Sequence, residues 1–517
     1  MSTAAAWPDR SQKGFVLSPE TVLAALAACI VSLWFAATTE AALHWFLVPV
    51  TLCGALIGGD AIRWVRGKIG AFDPAGVLGV TALHAFFLAP LLHVHWDFWM
   101  RYVQPPPEWR DWIGAMAIVD CCAIVAYRAG RSWSARGSTR MSTRRELDPR
   151  RFWIVLGPML LITAAVQYIV YERVGGLLGY IQAYRRPGEF FQGYGLTFLI
   201  SESFPILAFI GFAVLTSRFR ILSRWWILVI VLLGFFALKI LFGGLRGSRS
   251  NTVWGLFWAV GIIHLWIRPL PRRAFLAGIP VFIAFMFGYG LYKAKGLEGL
   301  NALLDPERAL AIARGSNRTL HSTLLSDLSR ADVQAYVLYR LENGASENLA
   351  WGRTYVGGVA ILIPRSVMPG RPATKSKEGT DILYGRGSWE SGRSSSRVFG
   401  LGGEAMLNVG VLGVPFAFLF FGVFVGWLRR AYYGLGKGDA RLLILPLMVN
   451  FALIILIGDS DNYVFFFVKE AALPVLLIFF SSRSVRVTGE EGVTWHERYG
   501  SAARDRAHDR HPAPMGA

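Results

Sequence analysis

Acidic residues are few in this chain, 34 Asp and Glu against 53 Lys and Arg, which leaves a net charge of +19. That shortage excludes an acidic, solvating chain. Cysteine is nearly absent: Cys29, Cys53, Cys121 and Cys122 are the full set, and all fall inside apolar stretches. Neither a disulfide framework nor a zinc-type spacing follows, and redox chemistry is not expected. Charged residues make up only 17% against 54% hydrophobic ones, too apolar a balance for a soluble multidomain protein. Barrel-type alternation and visible internal repeats are missing as well, so any membrane-spanning structure must be helical.

What is present is a series of long apolar runs. Stretches of at least about 17 mostly apolar residues occur near 20–39, 41–59, 75–95, 111–129, 152–171 and 196–216, then near 225, 251, 274, 405, 441 and 463. The expected fold class is an all-α polytopic membrane protein with about twelve transmembrane helices. Glu40 separates the first two runs, which would form a hairpin, so the first reads as an anchor rather than a cleaved leader. Arginine sorts the connections: the clusters at Arg63 to Lys68, Arg128 to Arg151, Arg218 to Arg224, Arg268 to Arg273, Arg429 to Arg441 and Arg483 to Arg486 share one side when the count is even. That side is expected to be cytoplasmic, with both termini inside. Because the basic excess is accounted for there, no nucleic-acid partner is expected; the bilayer is the partner.

The chain divides into residues 1–292 with nine helices, 293–404 as one large outer subdomain, 405–482 with three more helices, and 483–517 as a disordered cytoplasmic tail. The second segment is far longer than an ordinary connection. Asp305, Pro306 and Glu307 give the cap, first-position proline and acidic first turn of a helix. Leu320, Leu324, Leu328, Ala331, Ala335 and Leu338 then recur at helical spacing, a stripe for packing on the bundle or for the membrane interface. From Arg353 onward glycine, proline and serine dominate, which predicts ordered irregular turns over a cleft.

This outer segment breaks the usual habit of keeping arginine inside, which points to an anionic ligand. A guanidinium offers paired donors that match phosphate oxygens. Arg246 and Arg249 in GGLRGSRSN, Arg365 and Arg371 in IPRSVMPGRP, and Arg397 in the serine run are the candidate diphosphate clamps. Arg185 and Arg186, among aromatics after the fifth run, are candidate glycan contacts. Transfer of a sugar also needs an acid or base near the attacking hydroxyl. Glu404 and Asp332 are the first candidates, with Asp327, Glu189 and His321 as rivals. His93, His95 and Asp97 lack a fourth ligand, so no metal and no cofactor is expected. Lys239, Lys469 and Glu470 are intramembrane charges and candidates by that fact. Asp459 and Asp461 fall in the last outer turn, suited to sugar contact or to plain solvation.

Phe72 to Pro74, Gly175 with Gly176, GLRGSRS, IPR and the GE-x-x-x-N-x-G run at 403–410 together resemble the Wzy-type O-antigen polymerases, the oligosaccharide repeat unit polymerase family. The likeness covers most of the apolar region. It implies a GT-C-like, metal-independent, inverting glycosyltransferase that joins undecaprenyl-diphosphate-linked oligosaccharides on the outer face of a bacterial inner membrane. Under it the arginines of GLRGSR and IPR hold diphosphate, Glu404 is the catalytic or orienting acid, and Asn408 contacts glycan. A chain-length regulator is a partner the resemblance allows. The RX10G motif of some such polymerases has no match here, against a two-arm capture scheme. An O-antigen ligase would share this architecture with another acceptor. A flippase or other transporter is the non-enzyme alternative, although paired half-repeats are not visible.

Overall fold

The computed structural model describes residues 18–136, 142–183, 195–246, 249–316, 319–345 and 349–486. Among them the chain is all helical save one pair of short strands, and ten helices have the length and composition to cross a membrane. These are α1 (Pro19–Thr38), α2 (Leu47–Val65), α3 (Pro74–His95), α4 (Trp109–Ser134), α5 (Pro149–Arg173), α6 (Thr197–Arg218), α8 (Arg249–Ile267), α9 (Arg272–Lys295), α15 (Gly413–Gly434) and α17 (Ser460–Ser481). Two shorter apolar helices, α7 (Trp225–Leu241) and α16 (Leu445–Ile457), complete the bundle. All twelve apolar runs are therefore helical, with two below the ordinary spanning length.

Two apolar cores organise the helices. One gathers residues from α1 to α4, α15 and α16, and the other gathers α5 to α8, α16 and α17. Because α16 contributes to both, a short and largely buried helix can join the lobes. Small residues set the tightest crossing: a methyl group on Gly130 of α4 would meet the Leu419 carbonyl at 2.2 Å, and one on Gly422 of α15 would meet the Tyr127 carbonyl at 2.1 Å. Backbones this close gain dispersion contact that lipid cannot replace.

The arginine-rich end is pinned by ion pairs. Asp73 caps α3 by accepting from the Ala75 amide at 2.9 Å, and its carboxylate also takes Arg429 Nε at 2.8 and 3.1 Å and Nη2 at 2.8 Å. Arg131 pairs with Asp60 at 2.6 Å. At the same end β1 (Thr143–Leu147) pairs antiparallel with β2 (Ser482–Arg486). The first residues of the expected disordered tail are thus ordered, because strand pairing satisfies their backbone.

At the other end, α10 (Pro306–Gly315), α11 (Ala331–Arg340), α12 (Arg353–Ala360), α13 (Ser376–Tyr384) and α14 (Gly400–Val409) form the subdomain. Asp305 caps α10, its carboxylate accepting from the amides of Glu307 and Arg308. The predicted apolar stripe is split: a π-turn at Thr323–Asp327 ends before α11, Ala331, Ala335 and Leu338 enter the core, and Leu320 stays exposed. The stretch after Arg353, expected to be irregular, carries two helices. The tenth span begins at Gly413, not near 405, because Gly410 (φ 76°) breaks the run and leaves α14 as a separate helix.

Candidate functional site

Three polar constructions lie within or beside the subdomain. The first is a buried clamp built on α14. Glu404, 1% exposed, accepts from the Thr354 hydroxyl at 2.8 Å, the Ser460 amide at 2.6 Å and the Ser460 hydroxyl. Asn408, one turn on, donates to Thr354 Oγ1 at 2.6 Å and to the Glu404 carbonyl at 2.8 Å, and accepts from the Gly352 amide at 2.9 Å. Asp459 accepts from the amides of Phe399 and Gly400 at 2.9 and 2.8 Å, which serves the first turn of α14, and pairs with Lys375. Lys375 also donates to the Arg397 carbonyl at 2.9 Å. One network therefore ties α12, α14, the start of α17 and the loop before α13.

Burial pushes the Glu404 carboxyl up to about 7, the nearby Asp459 charge adds to the rise, and the hydroxyl and amide donors of Ser460 and Thr354 oppose it. Burial also raises Asp459, against the pull of Lys375. Both acids spend their oxygens on protein donors, an arrangement suited to fixing α14.

The second construction is an open cleft of about 440 Å³, within the size range of small-ligand sites. Its wall includes Arg101, Tyr102, Ser326, Asp327, Arg330, Tyr384 and Arg397. The residues come from four places in the sequence. Arg330 is held by the carbonyls of Ser326, Asp327 and Ser329 at 2.6, 3.2 and 2.5 Å, with no hydrogen bond from Nε to the described residues. Asp327 takes an ion pair from Arg249 at the start of α8. Arg397 donates to the Arg101 carbonyl, and the Arg101 guanidinium stacks over the Tyr102 ring at 4.8 Å. Three arginines and one aspartate thus line the cleft, beside Ser394, Ser395 and Ser396, and a fourth arginine, Arg249, pairs with that aspartate.

The third lies inside the bundle. Lys239 donates to both oxygens of Glu470 at 2.9 Å and to Asn251 Oδ1 at 2.9 Å, while Lys469 pairs with Glu202 at 3.0 Å. Asn251 Nδ2 closes the set by donating to Glu202 at 3.0 Å. Two cations and two anions cancel, so each is paired where water is excluded. The quartet sits where α17 widens into a π-turn, Phe467–Ala471. Gly243 rests directly on it: an added methyl would lie 2.2 Å from Asn251 Nδ2.

Of the residues singled out from sequence, Arg397 and the rival acid Asp327 line the cleft, and Arg249 is joined to it through its ion pair with Asp327. Glu404 and Asn408 belong to the clamp. Asp332 is buried, with Oδ1 on the Val333 amide at 2.8 Å and Oδ2 without a partner among the described residues. Arg371 donates to the carbonyls of Ile361 and Ile363 at 3.2 and 2.7 Å and so closes its own turn, while Arg365 is exposed outside the cleft. Arg185, Arg186, Glu189 and the Arg246 side chain lie outside the described residues. His93 and His95 turn to different partners, the Phe98 carbonyl at 2.8 Å and the Thr39 hydroxyl at 2.6 Å. Asp461 lies 3.9 Å from Lys375, at the edge of the clamp. Sequence reading did not name Arg101, Arg330 or Lys375, since nothing in their local spacing announces that distant segments converge on them.

The fold and site define a polytopic helical membrane protein with a basic, hydroxyl-lined cleft in its extramembrane subdomain. Comparisons with protein families, with curated proteins and with solved structures return no match.

Proposed function

We propose that the chain is a membrane glycosyltransferase that takes its donor as a lipid-diphosphate-linked oligosaccharide, in the manner of the repeat unit polymerases it resembles. The cleft carries this reading: Arg330 and Arg397 stand ready for diphosphate oxygens, and tyrosines and serines stand ready for sugar. The reading places the subdomain on the outer face of a bacterial inner membrane, both termini in the cytoplasm, and counts α7 and α16 among twelve membrane helices in a GT-C-like arrangement.

In this mechanism the acceptor hydroxyl oxygen attacks the anomeric carbon while the bond to the diphosphate breaks. The electron pair leaves with the diphosphate, and the guanidinium groups stabilise the charge that develops there. The hydroxyl proton goes to Asp327, oriented by Arg249. Asp327 takes this role in place of Glu404 and Asp332, because it lines the cleft.

A second reading, transport, draws on the intramembrane quartet, since ionisable residues at that depth often mark a path. Its four charges are paired with one another, which favours a structural role.

The test is turnover of purified protein with an undecaprenyl-diphosphate repeat unit, scored as a glycan ladder with and without a chelator. Asp327→Asn should lower the rate by about 10²- to 10⁴-fold, and Arg397→Ala should also reduce it, at unchanged melting temperature. A full-rate ladder from Asp327→Asn would refute the assignment. No ladder from folded wild type would move the chemistry to a ligase with another acceptor, or to transport.

A further inference from the structure

The subdomain is amphipathic along α12 and the turn after it. Thr354, Gly357, Gly358 and Ala360 are buried, and methyl groups on Gly357 and Gly358 would meet the Ala373 carbonyl at 2.1 Å and Ser460 Oγ at 2.6 Å. The opposite side carries Val356, Val359, Ile363 and Val367, spaced by three and four residues, with Trp351 before them and Met368 after. Val356, Val359 and Val367 are 59, 58 and 74% exposed. A water-facing helix would place polar residues at these positions. Two arginines accompany this face: Arg353 at its start, which pairs with Glu378 at 3.4 Å, and the exposed Arg365 in the turn after α12.

Two observations identify what covers this face. The first is level: α12 packs against Ser460, the first residue of a spanning helix, so it lies where that helix leaves the membrane. The second is continuity. Ala350 and Trp351 donate their amides to the carbonyls of Leu407 and Asn408 at 2.9 and 3.0 Å, which seats Trp351 beside the end of α14. From there Val409, Leu412, Phe416 and Phe420, again spaced by three and four, run exposed down into α15. The lower part of that stripe faces lipid by virtue of lying on a spanning helix. The upper part continues it without a polar interruption between Val409 and Leu412 except Gly410.

We infer that residues 351–368 form an interfacial hook, sunk into the acyl–headgroup boundary of the leaflet on the subdomain side, with phospholipid as its partner. The aliphatic side chains enter the acyl region and Trp351 sits at the boundary, where its ring is favoured. Arg353 and Arg365 meet headgroup phosphates. Arg371, bonded to the carbonyls of Ile361 and Ile363, holds the turn in shape. This inference is independent of the chemistry proposed for the cleft.

The experiment places a nitroxide at Val359→Cys or Val367→Cys, in the full chain with its four native cysteines replaced by alanine, reconstituted in phosphatidylcholine vesicles. Collision with oxygen is compared with collision with a water-soluble nickel chelate, and a label at Ser391→Cys, on the exposed serine-rich loop, is the aqueous reference. The oxygen-to-nickel ratio should be several-fold higher at Val359 and Val367 than at Ser391. Equal ratios would overturn the inference. Should the cysteine-free chain not fold, the native protein in vesicles doped with a diazirine phospholipid answers the question. Label in the tryptic peptide between Arg353 and Arg365 is the expected result, and label on α15 with none on that peptide is the refuting one.

Discussion

Replacing Glu404 by glutamine separates shape from charge in the clamp. The carboxyl takes three donors at a site 1% exposed. Glutamine can place its oxygen on the Ser460 amide and its NH2 on Ser460 Oγ, whose proton then turns to the Thr354 carbonyl at 3.2 Å. Only the Thr354 hydroxyl proton loses its acceptor, a loss of about 1 kcal/mol. Alanine strands two donors, the Ser460 amide and the Thr354 hydroxyl, at least about 2 kcal/mol, and adds a cavity. Charge works the other way. The acid titrates near 4.5 in an unfolded chain and about 7 in the folded one, a cost of about 3 kcal/mol for holding it ionised. Below the lower value both states are protonated and no cost arises. Between the two, the folded chain binds a proton that the unfolded chain has released, so stability falls as pH rises and stays reduced above 7. Glutamine has no such dependence. Its melting temperature should therefore lie slightly below wild type at pH 4.5 and above it at pH 8, while Glu404→Ala melts lower throughout. Tryptophan fluorescence on heating in detergent reads all three. Parallel wild-type and Glu404→Gln curves across that range would refute burial as the source of the raised pKa, and a glutamine chain as weak as alanine would refute the hydrogen-bond reassignment.

Lys239→Met should destabilise by about 3–5 kcal/mol, because it leaves two buried carboxylates, Glu470 and Glu202, sharing the single cation Lys469. Lys239→Met with Glu470→Leu should recover most of the loss, since the remaining pair of Lys469 and Glu202 is still neutral; detergent melting measures both. Gly422→Val should force α15 from α4, a methyl there lying 2.1 Å from the Tyr127 carbonyl, and is expected to lower melting and yield together.

Helix positions were legible in the sequence because hydrophobic length is a local property. α1 and α3 start within a residue of expectation. α2 starts six residues later, since Glu40–Ala42 forms its own short turn before the second helix. Glu404 shows the limit of motif reading at the site. An acid in a glycine-rich run beside a span suggests chemistry, yet the same glycines let α14 pack closely enough to bury it. A methyl on Gly403 would lie 3.3 Å from Gln334 Cγ of α11. The cleft was half legible: Arg249, Arg397 and Asp327 stood out as charges in an apolar chain, whereas Arg101 and Arg330 gain meaning only when loops 229 residues apart converge. Arg365 and Arg371 were read as clamps because proline and glycine fix their backbone. That rigidity shapes the turn carrying Val367, with Arg371 spent on two carbonyls.

α17 joins two of the three polar constructions and explains why its charges tolerate burial. Its first residue gives both an amide and a hydroxyl to Glu404, and Asp459 just before it serves the first turn of α14. Nine and ten residues later, Lys469 and Glu470 complete the quartet. A helix fixed at both points has little freedom to slide, because either displacement would strand a buried charge. The Phe467–Ala471 π-turn carries Lys469 and Glu470 themselves and accommodates the extra residue while the quartet stays in register. The subdomain is thereby locked to the bundle at this helix, and α12 packs on its beginning. Motion of the hook with the leaflet would therefore reach the clamp before the cleft. The cleft lies one step further on: the clamp's Lys375 holds the Arg397 carbonyl, while Asp327 is tied to the bundle through Arg249.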